Sequence, residues 1–230
     1  MIKTVIFDVD NTLYSYTKAH ETAFLALTGY AERELGISPE DFISLHKKTE
    51  HDLKESMGEV AAIHNRLIRY QNMLESRQLP LYPHVLKMNS LYWDTLLKTA
   101  VPFDGVAEVF EQLKYQKIRI GIGTDMTARV QFEKLTALGL IHYIDFLVSS
   151  EEAGKEKPDA IFFEKCIKKA GCRASECLFV GDSLQKDVLG SERAGIHGVW
   201  YCPEETKPAE AVLQITDLRQ LPEIMERLKM

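Results

Sequence analysis

Apolar residues follow two different rhythms along this chain. Residues 4–10, TVIFDVD, form a short apolar run, rich in β-branched and aromatic side chains, that ends in carboxylates. The run is too short for a helix and predicts a strand buried on both faces. Similar runs recur at Ile118–Asp125 (IRIGIGTD), Ile144–Ser150 (IDFLVSS), Cys177–Asp182 (CLFVGD) and Gly198–Cys202 (GVWYC). Between them, Val106–Gln116, Ala128–Leu138 before Gly139, Asp159–Ala170 before Gly171 and Asp187–Ala194 before Gly195 carry helical spacing and a glycine stop. Regular alternation of strand and helix predicts an α/β fold: a parallel sheet with helices on both faces, because each right-handed crossover deposits its helix on one face.

The interval from about Ser15 to Leu97 keeps only the helical rhythm. Its strings AFLALTGYAEREL, EDFISLHKKTEHDLKESM and HNRLIRYQNML space apolar residues three and four apart, with no strand run between them. The expectation is an all-helical insertion, residues 15–97, within a sheet domain of residues 1–14 and 98–230. Pro80, Pro83 and Pro102 punctuate its later part, and the chain re-enters the sheet domain near Pro102–Gly105.

Composition narrows the class. The 230 residues are enough for a sizeable core plus a modest insertion. With 28 Lys and Arg against 34 Asp and Glu, the net charge is −6, so no broad positive field exists to gather nucleic-acid phosphates. No nucleic-acid polymer and no membrane is expected as a partner. MIKTVIFDVD carries carboxylates where a signal peptide has its apolar stretch, and no window approaches the ~18 apolar residues of a membrane span. A cytoplasmic protein is the expectation. Cys166, Cys172, Cys177 and Cys202 form no CxxC pair and read as reduced thiols.

Ligands of open α/β sheets bind beyond the carboxyl ends of the strands. The polar residues gather at those ends: Asp8 and Asp10 after the first strand, Thr124 and Asp125 after the second, Asp182 and Asp187 after the fourth, and Lys157 on the loop following the third. Four carboxylates brought together repel one another unless a cation sits among them, and an all-oxygen site with few dedicated ligands suits Mg²⁺. A carboxylate-held metal beside a lysine and a hydroxyl suits a phosphate dianion, and an aspartate there can attack phosphorus. Phosphoryl transfer through an aspartyl phosphate is the chemistry indicated. Taken singly, each acid or glycine also fits a turn or helix cap.

FDVDNT (Phe7–Thr12), GTD (Gly123–Asp125), Lys157–Pro158 and GDSLQKD (Gly181–Asp187) resemble, in order and context, the four motifs of the haloacid dehalogenase-like hydrolase superfamily. The resemblance covers nearly all of the sheet domain and points to the phosphatase branch of subfamily I, with a helical cap of the C1 type. It implies a Rossmann-like, doubly wound core and a mobile cap inserted after the first motif. It implies further that Asp8 is the nucleophile and that Asp10 protonates the leaving alcohol, then deprotonates the hydrolytic water. Thr124, Asp125 and Lys157 would bind phosphate. Mg²⁺ would be held by Asp8, the Asp10 backbone carbonyl and Asp182, with Asp187 acting through a metal-bound water or by orienting Lys157. The dehalogenases of the superfamily lack the second aspartate, which this chain keeps as Asp10. Asn11 stands where glycine is more usual, and Asp125 where asparagine is common.

The expected function is Mg²⁺-dependent hydrolysis of a small phosphate monoester, such as a nucleoside monophosphate, phosphoglycolate or a sugar phosphate. The alternatives are a phosphomutase with the same motifs and a non-catalytic protein that binds phosphate or a partner. In the insertion, His20, His46, His51, His64, Arg66, Arg69, Tyr70 and Arg77 could meet substrate, although helical spacing makes most of them solvated faces. Tyr14 and Tyr16 could line the pocket or pack the hinge, and Trp93 and Trp200 read as packing residues.

Overall fold

The first apolar run folds as strand β1 (Thr4–Phe7), buried along its whole length. A computed structural model describes residues 1–58, 61–204 and 212–228. After β1 come helices α1 (Tyr16–Tyr30), α2 (Pro39–Met57), α3 (Arg66–Ser76) and α4 (His84–Thr99). Strand and helix then alternate: α5 (Val106–Tyr115), β2 (Arg119–Thr124), α6 (Ala128–Ala137), β3 (Phe146–Ser149), the single turn α7 (Ser150–Ala153), and α8 (Ala160–Ala170). The chain closes with β4 (Cys177–Gly181), α9 (Leu189–Arg193), β5 (His197–Tyr201), β6 (Leu213–Ile215) and α10 (Leu221–Arg227). It divides into two units, Met1–Ser15 with Val101–Met230, and Tyr16–Ala100.

In the sheet unit, six parallel strands run in the order β3-β2-β1-β4-β5-β6. Five of them coincide with the apolar runs. The sixth, Leu-Gln-Ile, is too short and too polar to stand out as a run. Alternation along β1 sends neighbouring side chains to opposite faces. Ile6 packs with Phe162, Phe163 and Cys166 of α8, whereas Phe7 meets Phe110 of α5 at 4.9 Å between ring centroids. Helices therefore cover both faces, giving the doubly wound Rossmann-like arrangement expected.

Helix α8 shows how local sequence sets these boundaries. The Asp159 side chain caps its start by accepting from Ile161 N at 2.9 Å, and Gly171 ends it with φ at 68°. The turn before α9, read as helix from Asp187, winds as a wider π-type segment over Leu184–Val188. Cys166, Cys177 and Cys202 are buried and Cys172 is partly so.

In the second unit, taken alone, the regular elements among the described residues are all helices. Ser38 caps α2 by accepting from Asp41 N, with Pro39 in the first turn, and Asn65 caps α3 by accepting from Leu67 N. Helices α1 and α4 pack along one another, bringing buried Ala19, Ala23 and Leu27 together with Met88, Tyr92 and Leu96. Among the described residues, no helix of the chain is long and apolar enough to cross a membrane.

Candidate active site

Asp8 follows the central strand, and its position is set by the strands on either side. Phe7 stands in register with Ile122 of β2 and Val180 of β4, so Asp8 comes next to Gly123 and Gly181. Its backbone N–H donates to Val180 O at 2.9 Å, and the residue is 6% exposed. Lys157, on the loop before α8, reaches into the same place. Its ammonium donates to Asp8 Oδ1 at 2.6 Å, Asp187 Oδ1 at 2.7 Å and Gly123 O at 3.2 Å. An ammonium has three donors, so the lysine head is held in one orientation.

The loop after β4 supplies the other acids. Asp182 N donates to Thr12 Oγ1 at 3.1 Å, and Trp200 Nε1 donates to Asp182 O at 2.8 Å, which fixes the backbone and leaves the carboxylate for the site. Asp187 is buried and takes a second bond from Ser183 N at 3.0 Å through Oδ2. The glycine of the GD pair has a steric purpose here. A Cβ at Gly181 would lie 2.3 Å from Asp187 Cγ, so only glycine leaves room for that carboxylate beside the strand.

Carboxylate oxygens of Asp8, Asp182 and Asp187 lie within 4.8 Å of one another. Burial, with further contributions from the neighbouring acids, pushes Asp8 up to about 8 and Asp182 up to about 6. Burial alone would lower the Lys157 ammonium, but Asp187 and Asp8 hold it well above the usual range. Three clustered acids against one lysine fit a hard divalent cation, whose charge would balance the excess.

Asp10 points to different partners. Its carboxylate accepts from Lys134 Nζ at 2.6 and 2.7 Å and from the Tyr14 hydroxyl at 2.7 Å. Thr124 is buried, its hydroxyl donating to Asp125 O at 3.4 Å. The Asp125 carboxylate accepts from Lys157 N at 3.1 Å and from Lys186 Nζ at 3.0 Å. Asn11 adopts φ of 60°, the left-handed backbone that glycine takes freely and asparagine tolerates. The departure from the motif thus preserves the turn that aims Asp10.

Lys134 is the residue that motif reading passed over. Its signal is legible in retrospect: Gln131, Lys134, Leu135 and Leu138 form the buried stripe of α6 at helical spacing. A lysine with a fully buried side chain in such a stripe calls for a carboxylate partner, and Asp10 is that partner.

A parallel doubly wound sheet with an acid-rich cluster and a buried lysine at its carboxyl edge defines a class of hydrolytic α/β proteins. Residues 2–195 match the family model described as haloacid dehalogenase-like hydrolase. A ribulose-1,5-bisphosphate 5-phosphatase of Halopiger xanaduensis is 32% identical over 91% of this chain and 88% of its own length. A glyceraldehyde 3-phosphate phosphatase of Methanopyrus kandleri is also 32% identical, over 85% of this chain and 82% of its own. Among solved structures, a 2-haloacid dehalogenase of Pseudomonas syringae superposes with a TM-score of 0.82 at 25% identity, covering 99% of both chains. The chain belongs to the haloacid dehalogenase-like hydrolase family.

Proposed function

We propose that this chain, a phosphatase of the haloacid dehalogenase-like family, hydrolyses a small phosphorylated metabolite through a covalent phosphate on Asp8. The observation that carries the reading is the Lys157 ammonium shared between Asp8 at 2.6 Å and Asp187 at 2.7 Å, at the end of a strand that presents Asp10 two residues later. A nucleophilic carboxylate must approach a dianionic phosphoryl group, and Lys157 offsets part of that repulsion. An Asp8 oxygen forms the new bond to phosphorus as the ester P–O bond breaks, and Asp10, entering this step as the neutral acid, delivers its proton to the departing alkoxide and becomes a carboxylate. That carboxylate, held by Lys134 and Tyr14, then takes a proton from a water molecule that attacks the aspartyl phosphate, which releases inorganic phosphate and restores Asp8 and the neutral Asp10.

Thr124 and Asp125 stand at the phosphate-binding edge, with Asp125 anchoring the backbone of Lys157. Asp8, Asp182 and the Asp10 backbone carbonyl would hold Mg²⁺, with Asp187 beside them; when bound, the ion neutralises phosphate oxygens. The substrate class favoured is a phosphorylated sugar or aldehyde, the kind named for the relatives above. Retention of Asp10 supports phosphoester hydrolysis over dehalogenation, because a halide leaves without needing a proton. The helical unit, residues 16–100, acts in this reading as a cap.

The test is phosphate release from a panel of phosphorylated metabolites with Mg²⁺, run beside Asp8→Asn. Turnover of one compound that vanishes in the variant supports the proposal. Equal release by both proteins sinks it, and a requirement for a bisphosphate activator would mark a phosphomutase instead.

A further inference from the structure

The helical unit contains a buried cluster whose hydrogen-bonding capacity is strongly one-sided. Arg66, on α3, is 6% exposed; its guanidinium lies over the Tyr92 ring at 3.7 Å and donates through Nη2 to the hydroxyls of Tyr92 at 2.6 Å and Tyr16 at 2.9 Å. Arg69, one turn on, is equally buried, with Nη1 on His46 Nε2 at 3.4 Å. Two guanidiniums side by side need two anions. Among the described residues, the carboxylate paired with them is Glu50, 3.4 Å from Arg69 Nη2, and Glu50 also pairs with Lys54 at 3.5 Å.

The Tyr92 hydroxyl that accepts from Arg66 also lies 2.7 Å from His20 Nδ1 and 3.3 Å from the Tyr16 hydroxyl. His46 accepts at Nε2 from Arg69 and therefore carries its proton on Nδ1. Burial, then the nearby arginines, pushes His20 down to about 4 and His46 to about 3, in keeping with neutral rings. Among the described residues, three buried polar atoms of the cluster have no hydrogen-bond partner: Arg66 Nε, Arg69 Nε and the Tyr70 hydroxyl. Each is an N–H or O–H, and buried donors without acceptors are costly and rare.

We propose that Arg66 and Arg69, with His20, His46 and Tyr70, form an anion-binding site of the helical unit that takes a phosphate or carboxylate group. The occupant is a small free anion of this chemistry, and the assignment is independent of the phosphatase reading above. Tyr16 and His20 are only partly buried and form the side by which an anion would enter.

The experiment is titration calorimetry of the full chain with sulfate and inorganic phosphate as probes, each against the unchanged chain and Arg69→Gln. Arg69→Gln is expected to weaken both anions by about tenfold or more, as for a lost charge-assisted contact. In a separate thermal melt, sulfate raises the Tm of the unchanged chain, and that rise disappears in Arg69→Gln. Arg69→Lys and Tyr70→Phe provide milder versions should Arg69→Gln fail to fold. No anion binding by the unchanged chain, or binding that stays the same across the folded variants, overturns the site.

Discussion

At the scale of single residues, the site depends on a few atoms with no slack. Replacing Asp8 by Asn removes the charge of the oxygen proposed to attack phosphorus while leaving its shape. Phosphate release should fall by about a thousandfold or more in a coupled phosphate assay, with the far-ultraviolet dichroism unchanged. Gly181→Ala is a less obvious probe: its methyl would sit 2.3 Å from Asp187 Cγ, displacing the carboxylate that steers Lys157. It should cost kcat heavily, although residue 181 touches nothing in the proposed reaction. Lys134→Met leaves Asp10 one donor short. We expect a loss of about 1–3 kcal/mol in urea unfolding and a lower kcat with KM little changed, since Lys134 positions Asp10 and does not meet substrate. Asn11 at φ 60° predicts an asymmetry, with Asn11→Gly near neutral and Asn11→Ala weaker by about 1 kcal/mol.

At the scale of elements, sequence periodicity carried five strands and the sheet-unit helices α5, α6, α8 and α9 because core burial imposes a period that is written in the residues. It missed β6, whose three residues are held by pairing with β5 and not by an apolar pattern of their own. It also passed over α6 as a site element, since the partner that makes Lys134 tolerable lies 124 positions away in the chain. The helical unit carries its own pH response. His20 and His46 titrate near 6.5 when unfolded but are pushed down to about 4 and about 3 by burial, then by Arg66 and Arg69, with Glu50 opposing. Their contribution is complete above pH 6.5 and is lost as pH falls toward 4 and then 3, because the unfolded chain binds protons that the folded chain refuses. Denaturant midpoints measured from pH 7 to pH 4 should therefore decline, and less so in His46→Gln.

At the scale of the whole molecule, a sheet with helices on both faces buries β1 on either side, so that a ligand can meet it only at a strand end. That is why chemistry collects after Phe7, Thr124 and Gly181 and nowhere along the strands. The acids so assembled repel one another, and a bound cation would offset that repulsion. Added Mg²⁺ should raise the Tm in proportion to the logarithm of its concentration once the site is saturated, and excess chelator should abolish phosphate release. A Tm indifferent to Mg²⁺, or turnover undiminished in chelator, would exclude the metal from the proposed mechanism.

The linear order of residues was sufficient for the α/β class, the helical interval, and the grouping of Asp8, Asp10, Thr124, Lys157, Asp182 and Asp187 at strand ends. All of these follow from local periodicity and short motifs, which need no knowledge of distant partners. Folding alone selected which of those groups share a proton or a charge: Lys157 with Asp8 and Asp187, Asp10 with Lys134 and Tyr14, Arg66 with Tyr92 and Tyr16. Such pairings depend on strand order, register and burial, and a buried charge finds its partner through space, where separation along the chain has no bearing.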